Sequence, residues 1–96
     1  MTFNERFADN LIRCRKSAGF SQEALAVRAS LSIDAVSKYE RAEIGPTIDT
    51  LIRLAGALSI PTRDLLNGLT WSPALVGTRP GQYRFSASDP ADEQVA

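Results

Sequence analysis

Residues 21–39 read SQEALAVRASLSIDAVSKY, and the placing of their serines decides the fold. Ser21 and Ser32 each stand just before an apolar-periodic run. From there a hydroxyl can satisfy a free N–H in the first turn of a helix. Leu25, Ala26 and Ala29 make the inward side of one short helix, and Glu23 lies in its first turn, where the helix dipole favours an anion. Ser30-Leu31-Ser32 forms the turn, with Leu31 toward the core and Ala29 small enough for a close crossing. The next helix runs from Ile33 to about Arg41, with Val36 and Tyr39 on its buried side. Two helices joined this tightly cross steeply, so the second stands out as a ridge of the kind that fits the major groove of DNA.

Upstream, Phe3, Phe7, Leu11, Cys14 and Ala18 recur at steps of three and four, one apolar stripe on a helix that Gly19 stops. Cys14 on that stripe reads as a small buried hydrophobe rather than a redox group. Downstream, Gly45-Pro46 breaks the chain and Thr47 can cap a fourth helix, whose apolar side is Ile48, Leu51, Ile52, Leu54, Ala55 and Leu58. Pro61 opens a last short helix that sends Leu65 and Leu66 to the core, and Gly68 ends it. Residues 1–68 therefore read as an all-α bundle of five short helices.

Residues 69–96 are different. Trp71, Pro73, Pro80 and Pro90, with several Ser and Gly residues, do not continue the helical pattern. Arg79-Pro80-Gly81-Gln82 fits a type II turn, with Pro second and Gly third. Gln82–Ser86 alternates like a strand, and Ala74-Leu75-Val76 is its expected partner, giving a β-hairpin at 74–86. An isolated hairpin is marginal in water, so this one must pack on the bundle or pair with a second copy. Trp71, Tyr83 and Phe85 are its candidate dimer or partner contacts. Asp89 to Ala96 is expected to be disordered.

Composition narrows the function. At 96 residues with 44% hydrophobic and 23% charged residues, the chain is one small globular domain with an extension. No long apolar run or signal-peptide core appears, so a soluble intracellular protein is expected, with no membrane partner. One Cys and no His leave no zinc ligand set and remove the commonest acid–base and nucleophile pairings. No enzyme, metal or cofactor is expected. Eleven basic residues balance eleven acidic ones, whereas nucleic-acid binders tend to be basic. The placement of charge matters more than its sum.

With Val36 and Tyr39 inward, Ile33, Asp34, Ser37, Lys38 and Arg41 point out from the third helix. Gln22 starts the second helix, where its amide and the adjacent backbone N–H groups suit a phosphate. Arg28, Lys38 and Arg41 are further phosphate candidates. Base reading falls to Ser32, Ile33, Asp34, Ser37 and Lys38: Lys38 can donate to guanine, Ile33 can pack on a thymine methyl, and Asp34 can accept from a cytosine amino group. On spacing alone this face is open to DNA reading, to protein binding, or to plain solvation.

The stretch from Leu11 to Leu66, and the match from residue 7 onward, resembles the Cro/repressor-type (xenobiotic-response-element, XRE) helix-turn-helix family. Carrying the likeness are Arg15, Gly19-Phe20-Ser21-Gln22, Leu25-Ala26, Ser32, Tyr39-Glu40-Arg41, Pro46 and Leu51 through Leu58. The resemblance implies a five-helix, phage-repressor-like domain that binds operator double-stranded DNA as a homodimer. It implies the roles given above to Gln22, Ser32, Ile33, Asp34, Ser37 and Lys38, and a cytoplasmic, nucleoid-associated protein of bacterial or phage type. It also implies that Arg15 pairs with Glu40 as a strut that positions the recognition helix. Ala42 departs from the family's Gly after that helix, and a left-handed Ala there would cost ~1 kcal/mol. Glu43 and Ile44 stand where the loop is usually basic or polar, which predicts weak non-specific binding. The leading expectation is a dimeric, sequence-specific transcriptional regulator. The alternative is an antitoxin-like or adaptor module whose extension grips a protein partner, with autoregulatory DNA binding.

Overall fold

Four helices start at a hydroxyl. In the computed structural model, which describes residues 1–75, 77 and 79–86, Thr2 opens α1 (Phe3–Ala18) with a capping box that includes Glu5. Ser21, Ser32 and Thr47 accept from the backbone N–H groups of Ala24, Ala35 and Thr50, and so open α2 (Gln22–Ala29), α3 (Ile33–Glu40) and α4 (Ile48–Leu58). Each such cap typically contributes ~1 kcal/mol. Pro61 precedes the single turn of α5 (Thr62–Leu65). Two strands follow, β1 (Leu69–Ser72) and β2 (Gln82–Phe85).

The helices close around one core. α1 packs on α3, α4 and α5, and α2 crosses both α3 and α4. Phe7, Leu11, Leu25, Val36, Leu54 and Leu65 are fully buried, and Phe7 meets Tyr39 edge-on at 6.1 Å. Cys14 is half-buried against this cluster. Ala18 lies on the expected stripe but is exposed, because it ends α1. Ile48 and Ile52 are exposed too. On α4 the side bearing Leu51, Leu54, Ala55 and Leu58 takes the core, and an eleven-residue helix at the surface can bury only one side.

Asn10 is a buried polar residue in this core. Its Nδ2 donates to the carbonyls of Leu65 and Asn67, both at 3.0 Å, tying the middle of α1 to the end of α5. Such a bond answers the carbonyls that a helix end leaves without a partner.

The extension forms an antiparallel hairpin, but its partner strand begins earlier than the Ala74-Leu75-Val76 expected. Leu69 pairs with Phe85 and Trp71 with Tyr83. Among the described residues beyond them, Leu75 makes an isolated bridge to Arg79, and Val76 lies outside the described residues. The register is set by aromatic pairing. Leu69, Trp71, Tyr83 and Phe85 share one face, with Trp71 edge-on to Tyr83 at 5.1 Å. Gly68, with φ of 80°, turns the chain straight from α5 into β1. A side chain at Gly68 would also strike the Arg6 guanidinium.

No type II turn forms at Arg79–Gln82, since that turn needs a left-handed Gly81 and the left-handed glycine in this stretch is Gly77. Gly81 serves close approach instead: a Cβ there would lie 2.5 Å from the Trp71 ring. The shared face seats on α1. Phe3 meets Tyr83 at 5.5 Å, Arg6 lies over the Phe85 ring at 5.5 Å, and Arg6 donates to the Ser86 carbonyl at 2.9 Å. The expected disorder of Asp89 to Ala96 lies outside the described residues. Among the described residues, no helix is long and apolar enough to cross a membrane.

Candidate nucleic-acid interface

The ridge expected from the sequence is α3. Burying Val36 and Tyr39 against α1 and α2 turns Ile33, Asp34, Ser37 and Lys38 outward, with Arg41 one residue beyond the helix. Ile33 is 51% exposed. Ser32 carries its hydroxyl at the foot of the same face, where it already accepts from Ala35 N–H at 3.0 Å.

Each cation on this face has a carboxylate beside it. Lys38 Nζ lies 3.1 Å from Asp34 Oδ2, one helical turn earlier. Arg41 forks onto Glu43, with Nε and Nη2 each donating at 3.0 Å, while its Nη1 donates to the Ser37 hydroxyl. The hydrogen bond to Glu43 raises the Arg41 guanidinium above its ordinary pKa. The same bond holds the Glu43 carboxyl below the usual carboxylate range. The backbone makes this pairing possible. Ala42 is left-handed, at φ 61°, and folds the chain back so that Glu43 N–H reaches the Lys38 carbonyl at 3.0 Å.

Behind the ridge, Glu40 collects three bonds. Arg15 donates to it through Nε at 2.6 Å and Nη2 at 2.9 Å, and Gln22 Nε2 donates at 2.9 Å. Arg15 also donates to the Phe20 carbonyl at 2.9 Å, so one guanidinium joins α1, the α1–α2 turn and α3. The bond to Glu40 keeps the Arg15 pKa raised. Both side chains are largely covered, 13% exposed for Arg15 and 5% for Glu40.

Six of the expected contact residues thus share one face: Ser32, Ile33, Asp34, Ser37, Lys38 and Arg41. Gln22 sits at the edge of that face, with one amide proton on Glu40 and the other left over. Arg28 is elsewhere. It lies over the Phe20 ring at 4.7 Å and donates to the Ala57 carbonyl at 2.8 Å, turned toward α4. Arg53 answers from α4 by donating to the Ser30 carbonyl at 3.3 Å, so the two arginines cross-link the C-terminal ends of α2 and α4. Trp71, Tyr83 and Phe85 belong to the hairpin, with Phe85 turned to Arg6 and Trp71 and Tyr83 about half exposed. Glu43 is the residue of this face that sequence reasoning did not place. Its signal is the left-handed position at Ala42, which brings the following residue back toward Arg41.

The sequence pattern of the helix-turn-helix family (HTH_3) matches residues 11–65, more than half of the chain and the whole of α2 and α3. The chain belongs to the XRE-type helix-turn-helix family. Among its relatives is the SPbeta prophage-derived HTH-type transcriptional regulator YonR of Bacillus subtilis, 34% identical over 62 residues, or 65% of this chain and 57% of YonR. The HTH-type transcriptional regulator y4dJ of Sinorhizobium fredii is 32% identical over 79 residues, 82% of this chain and 100% of that one. Of solved structures, the restriction-modification controller protein C.AhdI of Aeromonas hydrophila aligns with a TM-score of 0.63 at 32% identity, over 65% of this chain and 94% of the other. The DNA-binding domain of the P22 c2 repressor aligns with a TM-score of 0.60 at 30% identity, over 62% and 79% of the two chains. XRE-type helix-turn-helix proteins are DNA-binding transcriptional regulators and not enzymes.

Proposed function

We propose that the protein is a sequence-specific transcriptional regulator that binds operator DNA as a homodimer, with α3 of each copy in the major groove. The observation that carries this reading is the face of α3: Ser32, Ile33, Asp34, Ser37 and Lys38 are presented together by a helix held from behind by Arg15 and Glu40. Ile33 supplies apolar contact for a thymine methyl, Lys38 donates to guanine, and Asp34 retains a carboxylate oxygen for a cytosine amino group. Arg41, Gln22 and the first N–H groups of α2 take phosphates. Arg28 is left out of the contacts assigned to the α3 face, because its Nε is held on the Ala57 carbonyl, on the α4 side. Two copies would place their recognition helices about 34 Å apart, one turn of DNA. Such a protein works in the cytoplasm of a bacterial or phage-infected cell, on the nucleoid. Residues 1–68 form the DNA-binding unit in this reading.

Selection of bound fragments from a random DNA pool tests it. A near-palindromic motif is the expected result, and no enrichment at low salt would refute the reading. Trp71 and Tyr83, about half exposed at the outer end of the hairpin, are the proposed self-association surface. They also favour the second reading, an antitoxin-like or adaptor module, in which the same aromatics hold another protein. Sedimentation of Trp71→Ala separates the two. Conversion of a dimer to a monomer supports the first, and an unchanged dimer removes these aromatics from the self-contact.

A further inference from the structure

Among the described residues, four helices end on a left-handed residue whose successor bonds back to the carbonyl five residues earlier. In α1, α2 and α4 the successor is apolar: Phe20, Leu31 and Ile60 follow Gly19, Ser30 and Ser59, and all three pack on the core. That is the ordinary partnership of this helix ending. In α3 the successor to Ala42 is Glu43, which is exposed and turned onto Arg41. The helix offered to DNA is therefore the one that ends in a carboxylate clamp rather than an apolar plug.

The clamp is thorough. All three nitrogens of Arg41 donate within the chain, two to Glu43 and one to Ser37. Lys38 is matched in the same way by Asp34. Two cations against two carboxylates leave the recognition face without net charge. Of the side chains packed behind the face, Gln22 is uncharged and Arg15 is spent on Glu40.

Non-specific affinity for DNA comes almost entirely from cations that meet phosphates and release counterions. A phosphate approaching this face must first displace a carboxylate and then sit beside it. We propose that Asp34 and Glu43 act as an electrostatic filter: they hold Lys38 and Arg41 away from arbitrary phosphates, and an operator engages these cations only by offering partners to both members of a pair. Glu43 thereby sets specificity without having to touch a base. This rests on the proposed DNA reading and deepens it, because the useful quantity for a regulator is the ratio of specific to non-specific affinity.

The test compares wild type, Glu43→Gln and Asp34→Asn/Glu43→Gln on a duplex of unrelated sequence and on the enriched operator, across about 0.05–0.2 M salt. Far-ultraviolet circular dichroism verifies folding, which these exposed pairs do not control. Each freed cation should steepen the salt slope on the unrelated duplex by about 0.9 and raise non-specific affinity roughly five- to tenfold at about 0.1 M salt. Operator affinity should gain less, so the specificity ratio falls. Glu43→Gln reads the filter alone, because Asp34 is also assigned a base. If wild type holds its operator while all three proteins share one slope and one non-specific affinity, the filter is overturned and the DNA reading stands. If none of the three binds any duplex at low salt, both fall.

Discussion

Glu40→Ala removes the acceptor on which α3 leans. Three bonds are lost, two from the Arg15 guanidinium and one from Gln22. Arg15 keeps its bond to the Phe20 carbonyl, but its charge stays in a site where only 13% of the side chain is exposed. Hydrogen bonds to charged groups are worth about 1.5–3 kcal/mol each, and breaking a buried pair from one side costs about 3–5 kcal/mol. Residual solvent access puts this case near the lower end, about 3 kcal/mol. For a domain of this size each kcal/mol lowers Tm by about 4–8 °C, so a fall of roughly 12–24 °C is expected in a thermal melt. The second readout is DNA affinity, measured below the new transition so that the protein remains folded. It should fall although Glu40 faces inward, because α3 loses the tie that fixes its tilt. A double-mutant cycle with Arg15→Ala should show coupling of at least ~1.5 kcal/mol. A melt lowered by less than about 4 °C together with unchanged affinity would refute the strut.

Other changes probe the frame around the site. Ala42→Gly relieves a left-handed Ala (φ 61°) that costs about 1–2 kcal/mol, against about 0.5–1 kcal/mol of added unfolded-state entropy. A gain of about 0.5–1 kcal/mol is expected in urea unfolding, and a loss of stability would contradict it. Asn10→Ala withdraws the donor to Leu65 and Asn67 and should destabilise by about 2–3 kcal/mol; a loss under ~1 kcal/mol would mean water replaces it readily. The Cys14 thiol is pushed above its ordinary pKa by burial, eased by Arg13 and reinforced by Asp64. Its thiolate therefore forms only at higher pH than that of a free thiol, and alkylation by iodoacetamide at pH 8 should be slow until urea is added. Labelling as fast as that of a small free thiol would contradict the burial.

The helix starts were legible from residue types because capping is local. A hydroxyl at Ser21, Ser32 or Thr47 needs only the N–H three residues on. The inward sides of α1 and α3 followed from spacing for the same reason. What escaped depended on partners remote in sequence. Asn10 looks like a surface residue until the carbonyls 55 and 57 positions away are in view. Arg28 looks free to join the α3 face until Ala57 presents its carbonyl on the α4 side. In the hairpin, Ala74-Leu75-Val76 has the apolar pattern of a strand, yet the Trp71–Tyr83 contact and the seat of Tyr83 on Phe3 select the earlier register. Periodicity marks which residues are apolar, not which side the neighbours will cover, and so Ile48 and Ile52 belong to the apolar side of α4 yet stay exposed.

The two ion pairs on the recognition face divide along the same line, and that division bears on how a chain with no net charge can serve DNA. Asp34 and Lys38 are four apart on a helix, a pairing that spacing alone suggests. Arg41 and Glu43 are two apart, and residues at that spacing do not face each other while a helix continues. Only the left-handed Ala42, where a Gly would be less strained, turns Glu43 back onto Arg41. The strain and the clamp are thus one feature. Ala42→Gly widens the backbone's choices at the point that aims Glu43, so a variant more stable to urea should bind unrelated DNA more tightly and with a steeper salt slope, in the direction of Glu43→Gln. If Ala42→Gly gains stability with its salt slope unmoved, the turn is rigid without the Ala methyl and the clamp does not depend on it.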